Sequence, residues 1–324
     1  MNRPVDRPSG AKGNAGRPQR HRGGRPRSSN GRRNQLVYAA ALVLAVPVLV
    51  WAGVRLADRD GGPAHLAAGD PGVAHVHGLG VDPADGSLYV ATHYGTFRLG
   101  SSNDIRRVGD SYQDTMGFTV AGPNRFLGSG HPDVAGVHRG LPTRLGLIES
   151  TDAGTSWRDV SLSGEVDFHG LAFAHDRVYG WDSTSGRFMV STDRRNWETR
   201  SALPLRSFAV DPDDADHIVG AGPDGLVASQ DGGRTWTKIP GPALAVLSWD
   251  RSAGLVGATP DGDVHRSGDR GATWAAAGRL PGSPQALLAT ATTWYAAADE
   301  NGATGIYRSD DSGRSWSLHY RDAR

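Results

Sequence analysis

Apolar positions fall into two regimes along the chain. From Leu36 to Val54 nineteen residues run without a charge, as LVYAAALVLAVPVLVWAGV, which is enough to cross a bilayer core as a helix. Tyr38 and Trp51 stand near opposite ends of that run, where aromatic side chains anchor at membrane interfaces, and Pro47 predicts a kink. From about Val73 onward the apolar residues come instead as short aliphatic or β-branched stretches, punctuated by Asp-Pro, Pro-Asp-Gly and Gly-rich turns. That is the pattern of meandering strands. It divides into six units whose first strands are predicted at His75 to Asp82, Asp114 to Ala121, Asp167 to Ala174, Leu205 to Asp211, Leu244 to Asp250 and Gln285 to Thr290. Second strands follow, as at Leu88 to Thr92, Arg125 to Ser129, Val178 to Trp181 and His217 to Ala221.

The third and fourth strands of a unit flank a recurring turn, Ser-x-Asp-x-Gly-x-Thr/Ser-Trp. It is complete at Ser150 to Trp157, Ser229 to Trp236, Ser267 to Trp274 and Ser309 to Trp316, and shortened at Ser191 to Trp197, with successive copies 38 to 42 residues apart. Such a period marks a repeat architecture. The residues suit a hairpin: Asp bonds backbone N–H groups just ahead of it, Gly takes a positive φ, and Trp buries a large ring against the next repeat. The first unit has Ser101-Ser102-Asn103-Asp104 at that place. Six four-stranded units predict an all-β, six-bladed β-propeller around a central channel, with residues 64–73 available to help close it.

The turn resembles the Asp-box, or BNR, repeat of sialidase-type propellers. The segments His75-Val76-His77-Gly78-Leu79-Gly80-Val81-Asp82-Pro83, Ala91-Thr92-His93-Tyr94-Gly95 and Gly128-Ser129-Gly130-His131-Pro132 are similar to those of bacterial membrane-anchored propellers labelled as glycosyl hydrolases, over nearly all of residues 73–324. The resemblance implies glycan binding or hydrolysis. Sialidase chemistry in that family uses an arginine triad, a Tyr/Glu nucleophile pair and an Asp acid, of which Arg206 alone occupies an equivalent-looking channel position. A glycosidase of another type needs two carboxylates, and Asp114 with Asp167 or Asp182 supplies the pair.

Composition changes the picture at the N-terminus. Residues 1–34 hold nine Arg and one Lys against the single Asp6, whereas the whole chain carries a formal charge of only +1. This tail has too few large apolar side chains to fold alone and predicts a cytoplasmic side by the positive-inside rule. The expected organisation is a disordered basic cytoplasmic tail at 1–34, one uncleaved transmembrane helix at 35–56, a tether at 57–72 and an extracytoplasmic propeller at 73–324, anchored in the cell membrane by a single pass. The remainder is acidic, which fits a nucleic-acid role badly. The chain has no cysteine, which excludes disulfides, thiolate metal sites and a cysteine nucleophile.

Strand order places the candidate chemistry. If first strands line the channel, their starts share one face with the turns between second and third strands, and the Ser-x-Asp turns lie on the other. The innermost positions then read His77, Met116, His169, Arg206, an Ala near 245 and Gln285. Two residues earlier, on the same side of each strand, stand His75, Asp114 and Asp167, and the second strands end at His93, His131 and Asp182. Imidazoles with a thioether suit a transition metal, copper or zinc, with His75, His77, Met116 and His169 as candidate ligands. Arg206, His93, His131 and Asp182 are candidates for holding a glycan or other small ligand, and Asp114 with Asp167 for catalysis. His21, His65, His217, His265 and His319 fall outside the cluster and are expected at the surface.

Overall fold

The computed structural model describes residues 70–100 and 104–321. The expected tail, membrane helix and most of the tether lie outside the described residues, and among those described no helix is long and apolar enough to cross a membrane. Twenty-four strands form six four-stranded antiparallel sheets, each in simple chain order. Blade 1 is β1 to β4 (Val76–Val81, Leu88–Thr92, Gly95–Leu99, Ile105–Arg107), and blade 2 is β5 to β8 (Asp114–Gly122, Arg125–His131, Leu147–Ser150, Arg158–Ser161). Blade 3 is β9 to β12 (Phe168–Ala174, Arg177–Asp182, Arg187–Ser191, Glu198–Ala202), and blade 4 is β13 to β16 (Ser207–Asp211, Asp214–Gly222, Gly225–Ser229, Thr237–Lys238). Blade 5 is β17 to β20 (Val246–Asp250, Gly254–Ala258, Asp263–Ser267, Ala275–Arg279), and blade 6 is β21 to β24 (Ser283–Ala289, Trp294–Glu300, Ala303–Ser309, Ser317–Arg321). Among the described residues one short helix, α1 (Val134–His138), interrupts blade 2 between β6 and β7.

The six predicted blades are thus present, with inner strands close to the expected bounds. Leu205 and Leu244 precede β13 and β17 but remain buried, plugging the approach to each strand. The core lies between blades. Tyr179, Phe188, Leu205, Phe208 and Ile218 fill the space between blades 3 and 4, each worth about 1.5–3 kcal/mol of transfer free energy when fully covered. The ring closes in the same way, since Val73, Val76 and Leu79 share a cluster with Ala286, Ala297 and Ile306 of blade 6. Gln285 accepts a hydrogen bond from the Val76 N–H across that seam (2.9 Å). Each end blade builds its four strands from one contiguous segment, so side chains close the ring without strand exchange among the described residues.

The Ser-x-Asp turns behave alike in their four complete copies. In the copy at 229–236 the Ser229 hydroxyl donates to Asp231 (2.8 Å) and accepts from the Gly233 N–H (2.7 Å), while Asp231 accepts from the Thr235 N–H (2.9 Å) and hydroxyl (2.6 Å). Gly233 has φ +93, and a Cβ there would stand 2.4 Å from the Phe188 ring, so both the turn and the blade interface require glycine. Trp236 packs edge-on against Phe188 at 5.3 Å. The shortened copy keeps the Asp function, with Asp193 accepting from the Arg195 (2.9 Å) and Asn196 (2.7 Å) N–H groups. In blade 1 residues 101–103 lie outside the described residues, and the Gly100 N–H reaches Asp104 O (2.9 Å) to close the turn.

Candidate metal centre

β1, β5 and β9 run away from the same mouth of the channel, so their first residues and the ends of β2 and β6 meet there. Glycine brings the strands together. A Cβ on Gly78 would lie 2.8 Å from Phe118 Cβ, one on Gly117 2.5 Å from Phe168 O and one on Gly170 2.8 Å from the Phe208 ring. Those residues directly follow His77, Met116 and His169. The close approach lets an imidazole of one blade reach the carboxylate that opens the next.

Two clusters result: blade 1 supplies both imidazoles to the first, whereas blade 2 supplies one imidazole to the second and blade 3 the other. At the first, Asp114 stands between His77 Nε2 (3.1 Å) and His93 Nδ1 (3.0 Å). At the second, Asp167 stands between His169 Nε2 (2.9 Å) and His131 Nε2 (3.5 Å). In each cluster one ligand atom from every member lies within 4.8 Å of the others. Asp114 and His131 are direct cross-strand partners on β5 and β6, so the clusters are neighbours.

The hydrogen bonding of these groups is incomplete in a specific way. The His77 side chain is 8% exposed, yet its Nε2 has no hydrogen-bond partner, nor has Asp114 Oδ1 opposite, because the short distance between them is badly angled. Asp167 Oδ1 is likewise buried without a partner. His131 Nδ1 lies 2.7 Å from the Thr143 carbonyl, which only accepts, so Nδ1 carries the hydrogen. In the neutral ring the Nε2 lone pair then faces the Asp167 carboxylate at 3.5 Å, and two acceptors confront each other unless a metal ion or a second ring proton lies between them. A carbonyl that fixes the tautomer of a histidine with its free nitrogen turned into a cluster is the usual support of a metal ligand. Burial opposes the ionised form of Asp167, but the His169 hydrogen bond, the His169 and His131 charges and the Ser183 hydroxyl outweigh it and hold its pKa below the usual carboxylate range.

Two imidazoles and one carboxylate form a zinc-type ligand set that leaves an open position. Metal–nitrogen bonds of about 2.0–2.1 Å in tetrahedral geometry separate ligand atoms by roughly 3.3 Å. His77 Nε2 lies 3.1 Å from Asp114 Oδ1 and His93 Nδ1 3.0 Å from Oδ2, each near that value, while one ligand atom from each of the three residues lies within 4.8 Å of the others.

The other expected site residues divide. His75 stacks edge-on against His77 at 4.9 Å and lines the mouth cleft of 610 Å³ with His93, Asp114, Met116 and His131. Burial, then the neighbouring His77 and His93, hold the His75 pKa below the ordinary histidine value, which keeps its nitrogens free of a second proton. His75, His77, Met116 and His169 were expected as one ligand set, but His77 and His169 belong to different clusters, completed by His93 and His131. The reason is that each second-strand histidine faces the carboxylate of the following blade.

Arg206 is exposed and lines the central channel, a cavity of 380 Å³, beside Gln285. Asp182 is fully covered and accepts from the Asp167 N–H (3.1 Å), the Thr184 N–H (3.2 Å) and the Ser185 hydroxyl, so its oxygens hold a turn and face no ligand space. His217, expected at the surface, is buried 3.1 Å from Asp211 between blades 4 and 5, at the far end of the channel strands. Sequence reasoning missed α1 and the Thr143 carbonyl; the short Asp133 cap was the only local signal for the helix.

No protein-family model matches the chain. A xyloglucanase from Paenibacillus sp is 30% identical over 208 residues, covering 48% of this chain and 20% of that protein, so the chain spans about a fifth of that relative's length. Among solved structures, a GH74 xyloglucanase from Xanthomonas campestris superposes with a TM-score of 0.52 at 14% identity, over 76% of this chain and 45% of that one. A gluconolactonase from Xanthomonas campestris gives 0.56 at 13% identity, over 76% and 86% of the two chains. A chain of the nidogen/laminin complex gives 0.53 at 11%, over 70% and 89%. The structural likenesses establish the propeller fold. With the sequence relative they define a β-propeller that resembles those of glycoside hydrolases.

Proposed function

We propose that the protein is a transition-metal-binding propeller, holding zinc or copper at the channel mouth in two adjacent sites: His77, His93 and Asp114, and His131, Asp167 and His169. The observation that carries this reading is the pair of carboxylates, each flanked by two imidazoles, together with the buried His77 Nε2 and Asp114 Oδ1 that face each other at the first cluster without a hydrogen-bond partner. Buried polar atoms are almost always paired, and a cation bound at the first cluster satisfies both of these at once. His75 and Met116 line the same cleft, and the thioether adds a preference for copper(I). The charge asymmetry and the uncharged run of residues 36–54 support an extracytoplasmic, single-pass placement.

Calorimetric titration with zinc, and with copper under reducing conditions, tests the assignment. The wild type should take up two equivalents, His93→Ala and His131→Ala should each remove one, and His265→Ala should remove none. Absence of uptake by the wild type at neutral pH overturns it.

A second reading, a carbohydrate in the mouth cleft, is favoured by the 30% identity to a xyloglucanase. It supports binding better than hydrolysis. A general acid needs a raised pKa, and Asp167 is shifted the other way, while Asp114 lies between two imidazoles. The sialidase-type assignment has Arg206 alone in its favour.

A further inference from the structure

The rim of the mouth over blades 1 and 2 carries apolar side chains that the metal centre does not use. Six large hydrophobic residues are exposed among those described, and five of them, Tyr94, Tyr112, Val134, Val137 and Leu141, belong to these two blades at the mouth. Val134 and Val137 are 73% and 53% exposed. They stand on α1, whose buried Gly136 packs against Pro132 and Leu141 and so turns both valines outward. The patch is firmly held. Asp133 caps α1 through the Gly136 N–H (2.6 Å), and its other oxygen accepts from the Tyr112 N–H (3.0 Å). His138 and Arg139 lie exposed at the end of the helix.

The chain enters the propeller at this patch. Asp70, the first described residue, pairs with Arg107 (2.6 Å), whose guanidinium lies 3.9 Å over the Tyr112 ring and donates to the Tyr94 carbonyl. Only fifteen residues separate Asp70 from the uncharged run that ends at Val54. They reach at most about 50 Å in any conformation. The adjoining rim of the same mouth, on blades 5 and 6, presents Asp261, Asp263, Asp299 and Glu300, with Arg279 paired to Asp263 and Arg321 to Glu300. An anionic lipid surface repels that side and attracts the basic end of α1.

We propose that the Tyr94, Tyr112, Val134, Val137 and Leu141 rim is a membrane-docking surface, seated in the headgroup layer of the bilayer that holds the N-terminal anchor. The proposal rests on reading residues 36–54 as a membrane span. Tyrosine and aliphatic side chains beside basic groups suit that layer. Tethering raises the effective concentration so that a small patch suffices. His93 stacks edge-on against Tyr94 at 5.2 Å, so a docked rim turns the mouth cleft toward the membrane surface.

The absence of cysteine makes the test direct. Full-length protein carrying Val137→Cys, or Thr192→Cys on the opposite face, is labelled with an environment-sensitive fluorophore. It is then reconstituted in phosphatidylcholine vesicles containing a minority of phosphatidylglycerol. Brominated phosphatidylcholine should quench the label at 137 at least roughly threefold more than the label at 192. Adding Val134→Asp with Leu141→Asp, at exposed positions, should remove that difference.

Flotation of the same samples after alkaline washing reads the span separately. Flotation with equal quenching at both positions refutes docking and leaves the span standing, and persistence of the difference in the double variant refutes this patch as the contact. Failure to float refutes the span, and docking with it.

Discussion

Two glycines with nearly the same backbone and different surroundings separate turn strain from blade packing. Gly233 and Gly302 have φ +93 and +85. A Cβ at 233 would meet the fully buried Phe188 ring at 2.4 Å, whereas at 302 nothing lies within 4 Å. The left-handed region costs an L-residue about 1–2 kcal/mol, and this is the whole expected destabilisation for Gly302→Ala. Gly233→Ala must also displace Phe188, which packs on Phe208 at 5.1 Å and Trp236 at 5.3 Å. Overpacking of that kind adds about 1–3 kcal/mol, giving roughly 2–5 kcal/mol in all. The entropy lost by the unfolded chain on gaining a Cβ is common to both variants and cancels in the comparison. Urea unfolding of residues 62–324, a compact unit, measures the difference, and neither variant should alter metal uptake. Equal costs at the two positions would refute the claim that the turn glycine makes room for the neighbouring blade.

Residues 62–324 expressed alone should be soluble, with a β-type circular dichroism spectrum and cooperative unfolding, because neighbouring blades cover each apolar sheet face; an aggregated product would contradict the closed ring. Acid should loosen the turns. The Thr273 hydroxyl and N–H hold Asp269 at a pKa of about 2, below the usual carboxylate range, and Ser315 does the same for Asp311. Depressed carboxylates stabilise the fold above the unfolded pKa and lose that contribution as pH falls from about 4 to 2. The melting temperature should therefore decline across that window, and Asp269→Asn should flatten the decline in part. Metal uptake should weaken as the solution is acidified, since protons compete with the metal for ligand imidazoles. A pH-independent affinity between 7 and 5 would exclude imidazole ligation.

The repeat was legible because its determinants are local. Ser229, Asp231, Gly233 and Thr235 satisfy one another within seven residues, so each hairpin announces itself in sequence, and antiparallel meanders then fix the blade order. Strand phase also placed His75 and His77 in one space, as the period of two requires. The partners of each carboxylate were not legible, since His93 reaches Asp114 and His131 reaches Asp167 across blade boundaries. Blade-to-blade spacing depends on glycine contacts such as Gly117 against Phe168, which no periodicity reports. His217 illustrates the same limit: a polar residue in a second strand looked exposed until Asp211 and the Trp249 ring, in a T-shaped contact, enclosed it. α1 escaped because five residues carry little helical signal without the propeller beneath them.

Anomalous diffraction at the zinc edge, from crystals of residues 62–324 grown with zinc at neutral pH, tests the central claim most directly. Two peaks should appear at the channel mouth, one within about 2.0–2.2 Å of His77, His93 and Asp114, the other at the same distances from His131, Asp167 and His169. No peak at either cluster, or density only beside Arg206 and Gln285 in the channel, would contradict the account.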